Sequence, residues 1–472
     1  MTGAPWRAAD VDELYGRVRV MRDNLETAPS EPLPLELREN FIPVTQQALR
    51  DRLTRPECWT GGRHVEANKF FRYLNYWRRQ QYTARLHELQ QAYEPFSPDS
   101  DLLVTRTYSE TEAKVLRARV IEDIRWLLKH ANYTQVDPQK FKLLAHGSDY
   151  GLDLEVDMHA FDEIHIYYRG KSSRIGKRRS KKGFYLRTEE YTVPIFQRLC
   201  IVFKLKPIEA RVRDVMAQKG CDKAKAEKIV EKARRLLPPE IKDSNIYVKL
   251  FKNIPQSDLE MIFPNTQIKF RMLDKLKLTT TAGGGLGAGI FGAAGKIAVL
   301  STNPIAAAGA AVGLGGVAFR QAMNVVNQKN KYMVTMSQNL YFHAMADNRG
   351  AMTKLADRAA EEDIKEEMLL YALLAKERVR IDQLKEVDEA IELYLKRTYE
   401  REIDFDVGEA LGRLIADGIV TQAPDGMLVT LQPAEAALHI DKLWDNYLDT
   451  LPELKVHDEG EEFDGETSTV TA

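Results

Sequence analysis

Cysteine is scarce in this chain, and the N-terminus has no long apolar run. Three cysteines, Cys58, Cys200 and Cys221, occur among 472 residues, and none is spaced from another as in a metal-binding pair. Such usage is typical of a reducing compartment. The opening residues, MTGAPWRAADVDELYGRV, lack the apolar core of a signal peptide and are too acidic for a transit peptide. We therefore expect no cleaved leader.

The chain also lacks an excess of either charge. Its 68 Lys and Arg residues are balanced by 69 Asp and Glu residues, which gives a net charge of -1 at pH 7. A protein this close to neutrality has no global attraction to nucleic acid or to acidic surfaces, so any such partner must be recognised by local charge. The length predicts about two to four domains.

Charge is almost absent from one long stretch, residues 278–319, where Lys296 is the one charged side chain. Asn303 and Pro304 divide the stretch at a turn signal. The two halves, 278–300 and 305–326, each have roughly the 20 residues that cross a bilayer. The pattern predicts a two-helix transmembrane hairpin over residues 278–326. Basic residues flank both of its ends, which predicts two spans with both soluble parts cytoplasmic. Because the sequence shows no presequence, the expected membrane is a bacterial-type inner membrane.

Small residues recur four apart within this hairpin and would give each helix a smooth packing face. The glycines concerned are Gly285, Gly289, Gly309, Gly313 and Gly315. Such faces predict close helix packing within the hairpin or between copies in a homo-oligomer, and an oligomeric pore is a further alternative. A glycine-rich helical pair buried inside a soluble assembly is the competing interpretation.

Hydrophobic periodicity predicts an α+β multidomain fold. Helical spacing covers residues 46–54, 68–93 and 109–129, whereas strand-like patterns cover 152–158, 164–169, 189–206 and 245–251. The predicted order is an N-terminal segment and linker (1–36), a helical region (37–145), a small antiparallel-sheet domain (146–277) with a charged helical insertion (208–237), the membrane hairpin (278–326), a second helical region (327–400), a winged-helix-like module (401–450) and an acidic disordered tail (451–472).

Three carboxylates alternate along the first predicted strand. Asp153, Glu155 and Asp157 stand at i, i+2 and i+4, which places them on one face of a strand. Converging carboxylate oxygens could hold Mg²⁺ or Mn²⁺ for a membrane-tethered phosphoesterase or nuclease. The alternative is a solvated sheet face, and with that reading no cofactor is expected.

The sharpest local charge imbalance lies in the segment KSSRIGKRRSKK, which we interpret as a hairpin loop. Its basic residues are Lys171, Arg174, Lys177, Arg178, Arg179, Lys181 and Lys182. The hypotheses are contact with anionic lipid headgroups, a merely solvated loop, and binding of nucleic acid. Nucleic acid is the least favoured partner, because the segment has no interleaved aromatic residues for base stacking.

The C-terminal part predicts a helix at 407–417, strands at 419–422 and 427–431 separated by a turn, and a helix at 433–448. This order is typical of a winged helix. The helix that would enter a DNA groove offers Arg413 against Glu409 and Asp417, the wrong balance for phosphate contact. Protein–protein packing is therefore the favoured role.

Several motifs together carry a resemblance to a known family. They are Asn40-Phe41-Ile42-Pro43-Val44, Lys249 to Pro255, Asp258 to Asn265, the Gly/Ala hairpin, and Phe405-Asp406-Val407 through Tyr447. From about residue 38 to 448 the chain resembles the transmembrane protein 143-like family, a membrane protein family with a domain of unknown function. The resemblance implies two spans near the middle of the chain and supplies no catalytic residues. We expect a membrane-anchored, non-enzymatic module that binds protein or lipid on the cytoplasmic face.

Overall fold

The computed structural model divides into two compact units. Unit 1 comprises Met1–Gln135, Tyr167–Lys171 and Ala346–Ala472, and unit 2 comprises Val136–Ile166 and Ser172–Met345. The residues that the structure describes are 38–101, 108–136, 152–179, 188–235, 237, 241–256, 259, 262–263, 266–270 and 341–450. The predicted N-terminal segment and the acidic tail lie outside them.

The elements follow the predicted α+β pattern closely. The α-helices of the described residues are α1 Gln46–Leu53, α2 His64–Tyr93, α3 Glu110–His130, α4 Ile208–Lys219, α5 Lys223–Arg234, α6 Asn348–Leu374, α7 Leu384–Tyr399, α8 Val407–Ala416 and α9 Pro433–Asp445. The strands are β1 Thr134–Val136, β2 Leu152–Val156, β3 Phe161–Arg179, β4 Thr188–Leu205, β5 Ile246–Pro255, β6 Thr266–Phe270, β7 Ala344–Asp347, β8 Val420–Gln422 and β9 Leu428–Thr430.

Helix starts in unit 1 are fixed by side-chain caps. The Thr45 hydroxyl accepts a hydrogen bond from the backbone N–H of Ala48 at the start of α1. At the start of α3, Ser109 and Glu112 form a reciprocal capping box. Each cap satisfies backbone N–H groups that have no partner within the helix.

Helix α6 is the centre of unit 1. It packs against α1, α2, α3 and α8, and residues 362–375 are buried without interruption. A helix that is buried on every side lies in the middle of a bundle rather than on its surface. Tyr371 of α6 packs its ring against Phe70 and Phe71 of α2, with ring centroids 4.3 and 5.9 Å away.

The C-terminal part of unit 1 has the element order that the sequence predicts for a winged helix. Gly418, at φ +71°, follows α8, and β8 pairs antiparallel with β9 in the register Val420↔Thr430. Helix α9 then packs against α2. The observed order α8, β8, β9, α9 is the predicted one, and the winged-helix interpretation remains a prediction.

Unit 2 is built around antiparallel strands. The five-stranded sheet has the order β1-β3-β4-β5-β7, and β2 pairs with β6 in a separate two-stranded sheet. Strands β4 and β5 pair antiparallel from Ile195↔Pro255 to Lys204↔Ile246. The Phe203 ring stacks on Tyr247 at 5.0 Å and lies 5.6 Å from Phe161, so aromatic packing joins neighbouring strands. The prediction of an antiparallel sheet is confirmed.

The predicted transmembrane hairpin is corrected. Within the described ranges, no helix combines the length and the apolar character needed to cross a bilayer. The longest helices, α2 and α6, contain many charged residues, and several of these form ion pairs in the core of unit 1. The fold class is therefore α+β without a transmembrane helix in this part of the chain. The predicted membrane location, with two spans and cytoplasmic soluble parts, is corrected on the same finding. Residues 278–326, including the five glycines, lie outside the described residues.

Candidate functional site

Charged side chains occupy the buried part of α6. Five of them, Glu362, Asp363, Lys365, Glu366 and Glu367, are each less than 10% exposed. Burying a charge is costly unless the charge is paired and hydrogen-bonded. The partners of these residues therefore show what the helix is organised to hold. Helical spacing separates them into two groups on different faces.

The first group holds the chain segment before α1 against α6. Lys365 Nζ lies 2.9 Å from Glu362 Oε1 and donates to the carbonyl oxygen of Ile42 at 2.6 Å. Glu362 Oε2 accepts from the backbone N–H of Ile42 at 3.2 Å, and Arg169 donates to Oε1. Burial lowers the pKa of Lys365, although Glu362 opposes the shift. These contacts hold the segment before α1 on α6, so this group is a structural clamp.

The second group, which we call the charged centre, joins α6 to α2, α3 and α8. Its members are Arg78, Tyr82, His130, Asp363, Glu366, Glu367, Arg413 and Asp417. Arg413 of α8 lies at its middle. The Arg413 guanidinium contacts Glu366 Oε2 at 2.6 Å, Glu367 Oε1 at 2.8 Å and Asp363 Oδ1 at 3.3 Å. Burial lowers the pKa of Arg413, but the three carboxylates outweigh it and the net shift is upward.

Arg78 of α2 closes the other side of the charged centre. Its Nη2 atom lies 2.6 Å from Asp417 Oδ2 and 3.1 Å from the Glu367 carboxylate. Burial would lower the pKa of Arg78, yet Glu367 and Asp417 raise it overall. Glu367 is thus shared by two arginines, and its own pKa is raised by burial despite them.

Asp363 connects the charged centre to an aromatic cluster. Its Oδ2 atom accepts from the Tyr82 hydroxyl at 2.5 Å and lies 3.1 Å from His130 Nδ1. Burial and the neighbouring Asp363 raise the pKa of Tyr82. The Trp126 ring lies 4.0 Å from that of His130 and 5.2 Å from that of Tyr82. Tyr82 is therefore a neutral hydrogen-bond donor in this structure.

Glu366 is the member whose protonation is poised near neutral pH. Burial raises its pKa to about 8, with Arg413 opposing the shift and Asp363 adding to it. Its Oε1 atom accepts from Asn132 Nδ2 at 3.1 Å. The charged centre has four carboxylates and two arginines, so a proton on Glu366 reduces an excess of negative charge.

A cavity of about 620 Å³ opens beside the charged centre. Its lining residues are Arg78, Gln81, Tyr82, Ala84, Arg85, Glu88, Asp123, Trp126, His130, Asp363, Arg413 and Tyr447. The Arg85 guanidinium lies 3.7 Å over the Trp126 ring and 2.9 Å from Asp123 Oδ1. The volume falls within the range of small-molecule sites, and polar groups are set among aromatic walls as in such sites.

Three arginines that line the cavity have buried hydrogen-bond donors without an acceptor among the described residues. The donor atoms are Arg78 Nε, Arg85 Nε and Arg413 Nη1. Arg413 Nη1 is near Asp363, but at 3.3 Å and in a direction that makes no hydrogen bond. Buried polar groups usually find a partner, so these atoms call for an acceptor.

The described part of the structure does not show the three predicted metal residues as one cluster. Asp157 lies beyond the end of β2, where its Oδ1 atom accepts from the His159 N–H at 3.1 Å and its Oδ2 atom pairs with Arg211 at 2.6 Å. Asp153 and Glu155 lie in β2, opposite Lys269 and Gln267 of β6. No cluster of three metal-type ligands occurs among the described residues. The Mg²⁺ or Mn²⁺ site stays a prediction.

The basic segment at 171–182 is mostly strand rather than loop. Strand β3 continues to Arg179 and neighbours β4, so it takes in the basic residues from Lys171 to Arg179. Lys171 and Arg174 are exposed, and the Lys171 ammonium lies 5.0 Å from the Tyr168 ring centre. Lys181 and Lys182 lie outside the described residues. Contact of this segment with lipid or nucleic acid stays a prediction.

Sequence reasoning missed the charged centre. It treated Arg413 and Asp417 as surface charges of a groove-facing helix, whereas both are buried against α6 and α2. It predicted a helical region over residues 327–400 but did not single out the charged residues of α6. The available signal was the apolar run Met368–Leu370 directly after them, which indicates burial on more than one side.

Comparison with known proteins gives a family without an assigned activity. The family model described as Protein of unknown function (DUF3754) matches residues 161–350. No solved structure matches the chain. The chain therefore contains a domain of unknown function, as the sequence resemblance implied. Among the members of the charged centre, none lies within the matched range, because those residues belong to α2, α3, the later part of α6, α8 and its C-terminal end.

Proposed function

We propose that the protein is a non-enzymatic binding protein and that unit 1 holds a small polar molecule in the cavity beside the charged centre. The observation that carries this proposal is the set of three cavity-lining arginines whose buried donors lack an acceptor among the described residues. A ligand with acceptor oxygens would complete those hydrogen bonds. Leaving such donors unpaired costs roughly 1–3 kcal/mol each.

The lining also restricts the charge of the ligand. Glu88, Asp123 and Asp363 line the same cavity as the three arginines. A strongly anionic molecule would meet these carboxylates, and a simple cation would meet the guanidinium groups. A neutral or zwitterionic molecule with an apolar face for Trp126 fits both conditions. Nucleosides, amino acids and sugars are of this chemical kind.

Binding without catalysis is supported by the way the titratable groups are occupied. Asp363 is held by Tyr82 and His130, so it has little freedom to accept a substrate proton. Glu366, whose pKa lies near neutrality, is bonded to Arg413 and Asn132 and does not line the cavity. A general acid or base must reach its substrate directly or through one water.

The test blocks the cavity and measures ligand-induced stabilisation. Adenosine, L-glutamine and glucose are screened by the thermal unfolding of the full chain. We expect at least one probe to raise the melting temperature, since a ligand at about 100 times its Kd adds about 2.7 kcal/mol. Ala84→Trp, which fills the cavity wall, should abolish the shift. Ala48→Trp, on an exposed position of α1, is the matched control and should keep it.

Two results would contradict the proposal. The first is the absence of a shift with every probe of the three classes. The second is an equal shift in Ala84→Trp and Ala48→Trp, which would place binding elsewhere. A melting temperature of Ala84→Trp near that of the unliganded wild type shows that the variant is folded.

The relationship to the transmembrane protein 143-like family is also proposed, as a relationship of sequence only. It is supported by the segment 258–265, which falls inside the matched range 161–350. Leu259 and Phe263 of this segment are buried, in keeping with a structural role for the motif. Homo-oligomer formation through the glycine faces remains a proposal that rests on sequence.

A further inference from the structure

The near neutrality of the chain conceals a division of charge between its two units. Counted over the sequence, unit 2 contains 32 basic and 19 acidic residues, a net charge of +13. Unit 1 contains 36 basic and 50 acidic residues, a net charge of -14. An excess of positive charge of this size within one unit attracts polyanions, whatever the total for the chain.

Within unit 2, helices α4 and α5 form a hairpin with a small core of its own. Gly220 ends α4 at φ +57°, and α5 begins three residues later at Lys223. The inward faces meet through Val212, Val215, Ala226 and Val230. Because most of the large apolar residues are used in this contact, the outer faces of the hairpin are mainly polar, with Ile208 exposed at the start of α4.

Some of the basic residues of this hairpin are engaged in ion pairs. Residues 208–235 contain nine basic and five acidic side chains. Arg211 pairs with Asp157 and Arg234 with Asp243. On α5 itself, Lys223 and Arg235 pair with acidic residues one turn away. The other basic residues are exposed and make no ion pair with a described residue: Arg213, Lys219, Lys225, Lys228 and Lys232.

Three of these lysines form a stripe along α5. Lys225, Lys228 and Lys232 stand at i, i+3 and i+7, which places them on one face of the helix. At 1.5 Å per residue the stripe is about 10 Å long. Ala226 and Val230 face the other way, into the hairpin core. The lysine stripe is thus a row of exposed positive charges on a preformed element, and none of them is in an ion pair with a described residue.

We propose that the lysine stripe of α5 binds the phosphodiester backbone of a nucleic acid. Lysine is a compact point charge suited to phosphate, and no aromatic residue lies on α4 or α5 to stack on bases. The contact is therefore independent of base sequence and strongly dependent on salt. The sequence-based expectation disfavoured nucleic acid because it weighed the neutral whole chain and the segment 171–182, not unit 2.

The experiment removes the stripe and measures binding by fluorescence anisotropy with the full chain. The probes are a labelled single-stranded RNA and a labelled duplex DNA of mixed sequence, titrated over a range of salt concentrations. The variant is Lys225→Gln, Lys228→Gln and Lys232→Gln combined. Glutamine preserves helix propensity at these exposed positions. The matched control removes three exposed lysines from unit 1 helices, Lys354→Gln, Lys385→Gln and Lys442→Gln, with the same change in net charge.

We expect wild type and control to bind with a dissociation constant that rises steeply with salt. Three lost phosphate contacts should lower the slope of log K against log salt by about 2 for RNA and about 3 for duplex DNA. At low salt the stripe variant should bind at least about tenfold more weakly than the control. Different losses for RNA and DNA would identify which nucleic acid the stripe prefers.

Three outcomes would overturn the proposal. One is the absence of binding to either probe by the wild type at low salt. Another is an equal loss in the stripe variant and the control, which would mean that net charge rather than the stripe matters. The third is tighter binding of labelled polyglutamate than of either nucleic acid, which would assign the surface to an acidic protein partner.

Discussion

Glu366 combines burial with a proton that the folded state holds near neutral pH. Its pKa is raised from an ordinary 4.5 to about 8, first by burial. Below about pH 4.5 the carboxyl group is neutral in both the folded and the unfolded chain. As pH rises from there through 8, the unfolded chain loses this proton first, so the free energy of unfolding falls. Above about pH 8 the carboxyl group is ionised in both states, and the free energy of unfolding falls no further on its account.

Substitution Glu366→Gln should remove this dependence. Glutamine cannot ionise, and Asn132 can rotate its amide to accept from the new side chain. We expect the free energy of unfolding of the variant, relative to that of wild type, to be higher at pH 9 than at pH 5. The increase should be a few times the roughly 1.4 kcal/mol that one pKa unit represents. Urea unfolding followed by tryptophan fluorescence measures it. A difference that is the same at both pH values would contradict the assigned protonation.

Arg413 is expected to be the most costly residue of the charged centre to remove. Arg413→Met leaves Asp363, Glu366 and Glu367 buried without their shared cation, and breaking a buried ion pair costs about 3–5 kcal/mol. The control is Arg85→Met, because Arg85 is 38% exposed and, among the described residues, forms an ion pair with Asp123 only. Such a pair contributes about 1 kcal/mol or less. Equal losses of unfolding free energy in the two variants would contradict a structural role for the charged centre.

At the scale of the element, two glycines in and just after α8, Gly412 and Gly418, have opposite requirements. Gly418 follows the helix at φ +71°, and a Cβ atom there would lie 3.0 Å from His439 Nε2. That imidazole nitrogen contacts the Asp417 carbonyl oxygen at 2.8 Å, so it is not free to move. Gly412 lies inside the helix, is exposed and has open space around its Cα.

Alanine at the two positions should therefore change stability in opposite directions. Gly418→Ala should lower the free energy of unfolding by about 1–3 kcal/mol, because alanine is strained at positive φ. Gly412→Ala should raise it by about 0.5–1 kcal/mol, because alanine loses less entropy in a helix. Urea unfolding of the two variants provides the comparison. No loss in Gly418→Ala would show that the end of α8 does not depend on the left-handed residue, and a loss in Gly412→Ala would contradict the prediction for the helix interior.

Local signals explain which elements could be predicted from sequence. The turn from Ala423 to Gly426 and the apolar alternation around it predict the β8–β9 hairpin, and Ser109 predicts the start of α3. The length of β3 could not be predicted, because its last residues are basic and look like a loop. Pairing with the neighbouring β4 overrides that composition.

At the scale of the whole molecule, the α+β class was accessible from periodicity but the charged centre was not. The Arg413 and Glu367 side chains lie within 2.8 Å although 46 residues separate them, and Arg78 lies 289 residues from Glu367. Pairing over such separations leaves no local pattern. The same limit concealed the cavity and the assignment of residues 167–171 to unit 1. The mistaken membrane location came from giving one glycine-rich stretch more weight than the charged helices around it.

Unit 1 is discontinuous, and this has a consequence for biosynthesis. Its early helices α1, α2 and α3 pack on α6, which begins at Asn348, more than 200 residues after α3 ends. At about 5–20 residues per second, the ribosome takes from roughly ten seconds to nearly a minute to deliver it. During that interval Phe70, Phe71 and Leu74 have no central helix to cover them. The nascent N-terminal third is thus a natural client for chaperones, and a message truncated before α6 yields a product destined for degradation.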